Sequence, residues 1–407
     1  MWFKRIFIKL PLSSYLFEHK SILGKALLLL VMLLVIMGGS TGLGCIEGLQ
    51  PIGWSGGVVA DGILFVGSKE GKLVAINIAT GTDYGRRQWS ESLKMPASGG
   101  GLFGCMGPAY GGGCGGAPAG VAIYGTPTMS GDLVYIGGYN GKMYAFNSSS
   151  LVMRWVYPRE SYLKPIVSGP VIVSDSVYFS TSDGVVYALD AATGDKQWEF
   201  QAGDKIWSTP ASDGITVYIS SFDNKLYALN AENGAKKWEF EAQGSLVSTP
   251  LVYNNKVYVG SLNRYLYAVN ASDGSQEWKF MGESWFWAKP VAHNNVIYAP
   301  SLDGKVYILD AESGGEVADA VDLKSPVSSS PVLVDDKVII ASQKGVVYAL
   351  DTVTNKSRAL ADIEEEIYSP LCASDGVIFI HTQDYTVHPV DANTGGKLAT
   401  ISLKISE

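Results

Sequence analysis

Residues 181–198, TSDGVVYALDAATGDKQW, occur in three closely similar copies along the chain. The second copy is SFDNKLYALNAENGAKKW at 221–238, and the third is SLNRYLYAVNASDGSQEW at 261–278. Self-similarity at a fixed period of about forty residues is typical of solenoids, propellers and arrays. The spacing and content of this repeat therefore decide the fold.

The repeat extends beyond these three copies. Seven copies begin at a proline anchor, and Gly57 takes the anchor position in an additional first copy. The proline anchors are Pro127, Pro170, Pro210, Pro250, Pro290, Pro331 and Pro370. Eight residues after the anchors stand Phe65, Tyr135, Tyr178, Tyr218, Tyr258, Tyr298, Ile339 and Ile378. Nine residues further on stand Val74, Tyr144, Tyr187, Tyr227, Tyr267, Tyr307, Tyr348 and Val387. The chain therefore contains eight copies.

Each copy has four short apolar runs separated by turn-forming residues such as Asp183-Gly184, which is a tight-hairpin signal. Four copies carry a tryptophan near their end, at Trp155, Trp198, Trp238 and Trp278. Four antiparallel strands make a blade, and eight blades arranged radially can bury one another's faces. The sequence predicts an all-β fold, an eight-bladed β-propeller of four-stranded antiparallel blades. The recurring aromatic residues are interpreted as packing between blades.

The motif YALDAATGDKQW at 187–198 resembles the repeat of PQQ-type β-propellers, and the resemblance covers about residues 54–403. This family includes quinoprotein alcohol dehydrogenases and the BamB-type lipoprotein of the outer-membrane barrel assembly machine. The resemblance supports the propeller fold but does not choose between an enzyme and a scaffold.

Residues 1–45 differ from the remainder in charge and hydropathy. The chain has a formal charge of −8, of which residues 1–45 contribute +4, leaving −12 for the body at 46–407. Basic residues followed by an apolar run and small residues match an export signal. Cys45 resembles the lipidated cysteine of bacterial lipoproteins, but the uncharged stretch 26–46 is also long enough to remain as a membrane anchor. We expect an extracytoplasmic body tethered to a membrane, with no nucleic-acid partner because the body is acidic.

A glycine-rich insert at about 93–122 separates the first and second copies. It contains CMGPAYGGGC, in which eight residues lie between Cys105 and Cys114. Exported proteins meet oxidising conditions, so we expect a disulfide between these two cysteines. The insert matches no phosphate-binding loop. It is interpreted as a lid or a docking loop, and the alternative is a loop without a function.

Alternating strand direction puts the turn between the second and third strands on the same face as the blade-to-blade connections. Departures from the repeat concentrate on this face. The candidate partner- or ligand-binding residues are Trp207, Arg264, Tyr265, Trp285, Phe286, Trp287 and Lys289. Trp285 and Phe286 fall where other copies are polar or small, whereas packing near the channel is the alternative for Trp287. Lys289 occupies a Gly, Ser or Thr position, where it would address an anion or face a wet channel.

The sequence lacks the features expected of a catalytic centre. There is no adjacent cysteine pair of the kind many quinoproteins place beside PQQ, and Asp183, Asp223 and Asp303 recur at equivalent turns. His381 and His388 have no third metal ligand in sight. We expect no metal and no cofactor, and a non-catalytic scaffold or assembly factor that binds other envelope proteins. A PQQ- and calcium-dependent dehydrogenase and a glycan or surface-polymer binder remain as alternatives.

Overall fold

The computed structural model of the chain describes residues 55–68, 71–78, 87–93 and 121–404. All of them belong to one compact unit. These ranges contain eight four-stranded antiparallel sheets, each built from four consecutive strands, and no helix. The prediction of an eight-bladed all-β propeller is confirmed.

The blades follow one another in chain order. Blade 1 has β1 (Gly57–Ala60), β2 (Ile63–Gly67), β3 (Lys72–Asn77) and β4 (Arg87–Ser92). Blade 2 has β5 (Thr128–Ser130), β6 (Leu133–Gly138), β7 (Lys142–Asn147) and β8 (Met153–Tyr157). Blade 3 has β9 (Val171–Val173), β10 (Ser176–Ser180), β11 (Val185–Asp190) and β12 (Lys196–Gln201). Blade 4 has β13 (Ala211–Ser212), β14 (Thr216–Ser220), β15 (Lys225–Asn230) and β16 (Lys236–Glu241).

The second half of the ring repeats the arrangement. Blade 5 has β17 (Leu251–Tyr253), β18 (Lys256–Gly260), β19 (Tyr265–Asn270) and β20 (Gln276–Met281). Blade 6 has β21 (Val291–His293), β22 (Val296–Pro300), β23 (Lys305–Asp310) and β24 (Glu316–Asp322). Blade 7 has β25 (Val332–Val334), β26 (Lys337–Ala341), β27 (Val346–Asp351) and β28 (Ser357–Asp362). Blade 8 has β29 (Cys372–Ser374), β30 (Val377–His381), β31 (Thr386–Asp391) and β32 (Ile401–Ser402).

The burial of each strand follows from its place in the blade. The middle strands are covered on both faces by neighbouring blades, so β10 and β11 read as continuous apolar runs and are almost fully buried. The outermost strand β12 alternates instead, with Trp198 buried between exposed neighbours. The pattern places the core in the seams between blades rather than within one blade.

A repeated contact, here called the seam clamp, joins successive blades. The indole Nε1–H of Trp198 and the hydroxyl of Tyr178 both donate to the carbonyl of Ala231 in the next blade, at 2.9 and 2.8 Å. The same pairing occurs with Trp155 and Tyr135 on Ala191, and with Trp278 and Tyr258 on Ala311. On Ala271 the indole of Trp238 donates at 3.0 Å, whereas the nearby Tyr218 hydroxyl donates its proton to Asp213 at 2.7 Å. The aromatic residues are therefore packing between blades, as the sequence predicted.

The Ala-x-x-Gly turn completes the clamp. Gly194 lies against the ring of Trp155 with a backbone φ of 75°, and a Cβ built there would stand 2.6 Å from the indole. Glycine is required because both the left-handed conformation and the close approach exclude a side chain. Gly234, Gly274 and Gly314 have the same role at the next three seams.

The ring closes between blade 8 and blade 1. Strand β29 contacts β1, and the first strands of the blades line the axis. The buried His381 holds the junction, because its Nδ1 lies 2.8 Å from the carbonyl oxygen of Ser55 and must donate to it. No strand is exchanged between these two blades, since each sheet uses four consecutive strands.

The predicted register of blade 8 was wrong by one residue. Cys372 pairs with Phe379, as Val171 pairs with Tyr178, so Leu371 rather than Pro370 opens the blade. His388 correspondingly pairs with Ile380, as Tyr187 pairs with Phe179. The single nearby proline misled the alignment because proline is compatible with both positions, whereas the buried faces fix the register.

Candidate functional site

The blade connections and the turns between second and third strands form one surface, here called the connection face. The backbone N–H groups of Phe222, Leu262 and Leu302, which lie in those turns, donate to carbonyls in the connections. The acceptors are Lys205, Ser245 and Trp285, at 3.0, 2.9 and 3.0 Å respectively. The expectation that turns and connections share a face is confirmed.

The connection face is apolar on blades 4–6. Trp207 meets the ring of Phe222 edge-on at 4.5 Å between centroids, and both side chains are only half-buried. We define the aromatic sector as Trp207, Phe222, Leu262, Trp285, Trp287 and Leu302, all half-buried. On blade 7 the corresponding positions are polar, where Gln343 donates to the hydroxyl of Ser328 at 2.9 Å. The apolar surface of blades 4–6 therefore ends at polar residues on blade 7.

Phe286 was wrongly predicted as a surface residue. It is 1% exposed and packs against the ring of Tyr307 at 5.6 Å between centroids. Its position is that of Ile206 and Leu246 in the preceding connections, both fully buried. A larger apolar residue fills the same inward slot, so Phe286 cannot contact a partner in this conformation.

Arg264 and Tyr265 lie at the start of β19 on the connection face. Arg264 is exposed with a φ of 72°, at the turn position where blades 3 and 6 have Gly184 and Gly304 at 90°. A non-glycine residue in this region carries backbone strain of about 1 kcal/mol. Tyr265 is half-buried beneath Lys279, whose Nζ lies 4.8 Å from the ring centroid. The strained arginine is thus held out towards solvent beside an aromatic residue.

Lys289 stands immediately before Pro290, at the inner end of the connection into blade 6. Its backbone N–H donates to the Ser330 hydroxyl at 3.1 Å, and its ammonium has no partner among the described residues. Solvent reaches the side chain, yet the surrounding wall of the propeller removes enough hydration to lower the pKa of the ammonium. The structure places Lys289 apart from the aromatic sector, on the axis.

The acidic turns and the histidines have local structural roles. Asp223 accepts from the Lys225 N–H and the Tyr227 hydroxyl, at 3.0 and 2.6 Å, and Asp303 repeats this arrangement. His388 meets the Thr382 hydroxyl at 3.1 Å, and burial lowers its pKa. The described ranges contain no cluster of three or more His, Cys, Asp or Glu residues suited to a metal. The turn aspartates are committed to separate blades and do not fit a shared calcium and PQQ site.

Several predictions concern residues outside the described ranges. These are the lipidation of Cys45, the disulfide between Cys105 and Cys114, the role of the insert at about 93–122, and the boundary at residue 45. Within the described ranges, no helix has the length and apolar character needed to cross a membrane.

Sequence reasoning missed Phe222, Leu262 and Leu302 as members of the aromatic sector. The signal was an apolar residue directly after the serine of the turns SFDN, SLNR and SLDG, where a polar residue is usual. The interpretation as tight turns concealed their contribution to a surface.

Solved structures share this architecture. BamB from Moraxella catarrhalis aligns with a TM-score of 0.63 and 20% identity, covering 84% of this chain and 95% of that one. The computationally designed Ika8 protein gives 0.68 and 14% identity, covering 84% and 97%. Saccharomyces cerevisiae Sqt1 gives 0.59 and 16% identity, covering 67% and 82%. These similarities support the propeller fold alone.

The sequence comparison is more specific. A family model described as outer membrane protein assembly factor BamB matches residues 44–199 and 182–398. The chain belongs to the BamB family. Outer membrane protein assembly factor BamB of Legionella pneumophila (strain Paris) is 30% identical over 142 residues, which are 35% of this chain and 31% of that protein. The alignment thus spans about a third of this curated relative.

Proposed function

We propose that this BamB-family chain is a non-catalytic, extracytoplasmic propeller tethered to the membrane, where it binds another envelope protein during outer-membrane assembly. The observation that carries the proposal is the aromatic sector, a half-exposed apolar surface on one side of a rigid ring. Exposed apolar surfaces rimmed by polar residues are typical of protein-binding sites. Tryptophan and arginine are also the side chains that contribute most at such sites.

Rigidity supports the same proposal. The seam clamps hold blades 3 to 6 against one another, so the connections of blades 4–6 are presented by a stiff scaffold rather than by a free loop. Arg264 adds a positive charge on the same face of an otherwise acidic body. We infer that the partner offers an apolar segment with an acidic residue near it.

Site-specific photo-crosslinking in native membranes tests the docking surface. A crosslinking residue at Arg264 should give an adduct identified by mass spectrometry as an outer-membrane assembly protein. The matched control is Glu232, an exposed residue in the turn between the third and fourth strands on the opposite face of blade 4. Adducts from Glu232 and none from Arg264 would reject the docking surface.

The membrane tether is a separate part of the proposal. We infer that Cys45 carries a lipid or that residues 26–46 remain as an anchor. Palmitate labelling of the chain should disappear in Cys45→Ala if the lipid is the tether. Labelling that persists in this variant rules out lipidation at Cys45, and membrane retention without any label favours the anchor.

The proposal includes no resident cofactor. The local hydrogen bonds of Asp223 and Asp303 support this, since these carboxylates already have partners within their own turns. Adding PQQ and calcium to the purified protein should give no alcohol- or sugar-dependent dye reduction. Dye reduction above the buffer control would restore the dehydrogenase alternative.

The glycan alternative loses one of its three adjacent aromatic residues, because Phe286 is buried.

A further inference from the structure

The residues that precede the opening residue of each blade form a ring around the axis, here called the neck. Its members are Gly56, Thr126, Gly169, Thr209, Thr249, Lys289, Ser330 and Pro370. Contacts between neighbouring members follow the ring. A Cβ on Gly56 would stand 2.6 Å from the Thr126 hydroxyl oxygen and 3.1 Å from the Pro370 carbonyl oxygen. The neck is therefore a continuous girdle at the narrow end of the blades.

Hydroxyl groups connect the neck from blade to blade. The N–H of Gly169 donates to the Thr209 hydroxyl at 3.1 Å, and the N–H of Thr209 donates to the Thr249 hydroxyl at 3.2 Å. The N–H of Lys289 likewise donates to the Ser330 hydroxyl at 3.1 Å. In each case a side chain of the following blade accepts from the N–H of the preceding one.

Lys289 interrupts this chain of hydrogen bonds. The Thr249 N–H should donate to the next member of the neck, but lysine has no acceptor atom. Within the described ranges, no acceptor is present for this N–H, for the Lys289 ammonium, or for the hydroxyl protons of Thr249 and Ser330. Both hydroxyl oxygens already accept from the neck, so their protons are left to donate. Four donor groups on three successive members of the neck are thus left without an acceptor among the described residues.

The charge of Lys289 favours an anion at this site, as the unpaired donors do. The pKa of Lys289 is lowered by the loss of hydration alone, and no carboxylate among the described residues contributes to it. An ammonium in such a position is destabilised unless an anion or water replaces the missing hydration. A threonine at this position, as in blades 4 and 5, would avoid the cost and continue the ring.

We propose that the neck beside blade 6 binds a small oxyanion, a carboxylate or a phosphate-type group, through Lys289, Thr249 and Ser330. This site is on the axis and is separate from the aromatic sector. The anion proposal therefore does not depend on whether a partner protein docks at the aromatic sector. The oxyanion is either free in solution or carried as a carboxylate by a peptide that enters the channel.

Thermal unfolding with added anions tests the site. Acetate or inorganic phosphate, at fixed ionic strength in a low-chloride buffer, should raise the Tm of the wild-type protein in a saturable manner. Lys289→Thr should abolish this rise and should also have a higher Tm than wild type without anion. Lys289→Met keeps the length but removes the charge, and it should weaken anion binding at least tenfold by calorimetry.

The matched control is Lys205→Met, an exposed lysine on the connection into blade 4 that is outside the neck. It should leave the anion response unchanged. A short peptide with a free C-terminal carboxylate and its amide distinguish the two sources. Tenfold tighter binding of the acid than of acetate, with no binding of the amide, identifies a peptide carboxylate, and equal affinities identify a free oxyanion. An anion response that is absent in wild type, or that survives in both Lys289 variants, overturns the site.

Discussion

Blades 2–5 and blades 7–8 reach the same backbone geometry with different seams. In the first group, a tryptophan donates to one alanine carbonyl of the following blade, and in three of the four seams a tyrosine donates to the same carbonyl. Between blades 7 and 8, aliphatic residues fill the seam, including Leu360, Ile363, Ile367 and Ile380. The propeller therefore depends on filling the seam with apolar volume, and the indole clamp is one way of doing so.

The boundary between the two seam types lies at blade 6. Tyr298 retains the tyrosine of the clamp, but β24 has no tryptophan and the following blade presents Thr352 in place of alanine. The hydroxyl of Tyr298 is buried without a hydrogen-bond partner among the described residues, whereas the equivalent Tyr258 donates to Ala311 at 3.0 Å. The difference shows that the ring tolerates a lost hydrogen bond where the packing remains intact.

The largest expected effect separates the two seam types directly. Trp238→Ala removes a buried ring and its bond to Ala271, so unfolding should become easier by about 3–5 kcal/mol. Arg358 occupies the tryptophan register in blade 7, but it is exposed, and among the described residues it bonds to the Asn393 carbonyl alone. Arg358→Ala should cost at most about 1 kcal/mol, as measured by equilibrium denaturation. Equal losses from the two substitutions would mean that the seams are energetically alike.

The closing seam between blades 8 and 1 should be sensitive to acid. Burial lowers the pKa of His381 below its ordinary value of 6.5, so the unfolded chain binds the proton more readily than the folded one. Its contribution is complete above about pH 6.5 and is lost as the pH falls below that value, by up to about 1.4 kcal/mol per pH unit. Denaturation midpoints between pH 6.5 and 5 measure this loss.

His381→Asn provides the control for that titration. The amide of asparagine can donate to the Ser55 carbonyl as the imidazole does, but it does not titrate. The variant should therefore lose less stability than wild type over the same pH range. His388 contributes in the same direction, because burial also lowers its pKa. An unchanged pH slope in His381→Asn would show that the loss of stability in acid comes from other titrating groups.

The smallest expected effect compares two tyrosines in equivalent positions. Tyr258→Phe leaves the Ala311 carbonyl with only the Trp278 donor and should cost about 1 kcal/mol. Tyr298→Phe removes a buried hydroxyl that has no partner in the described part of the chain, so stability should stay the same or rise slightly. Equilibrium denaturation of the two variants gives the difference. A larger loss for Tyr298→Phe would contradict the idea that the clamp ends at blade 6.

The repeat made the fold predictable from sequence. Tyr178, Trp198 and Gly194 recur with constant spacing in successive copies. Each fills the same position in its seam, so the same packing requirement returns in every copy and is visible in the sequence. The candidate site was predicted only in part. Arg264, Trp285 and Trp287 do lie on the connection face, but Phe286 points into the core. Its register, four residues before the anchor, is apolar in the preceding copies at Ile206 and Leu246, and this periodic signal was overlooked.

The sequence by itself determined the number of blades, their strand composition and the aromatic packing between them, because these depend on local alternation and fixed spacing. Only the tertiary structure decided which irregular residues meet. Phe222 reaches Trp207 across a turn and a connection, and the N–H of Lys289 donates to the Ser330 hydroxyl of the next blade. Such contacts arise when the ring closes, since closure brings together residues that are about forty positions apart. Nothing in a single sequence indicates that two such residues are in contact.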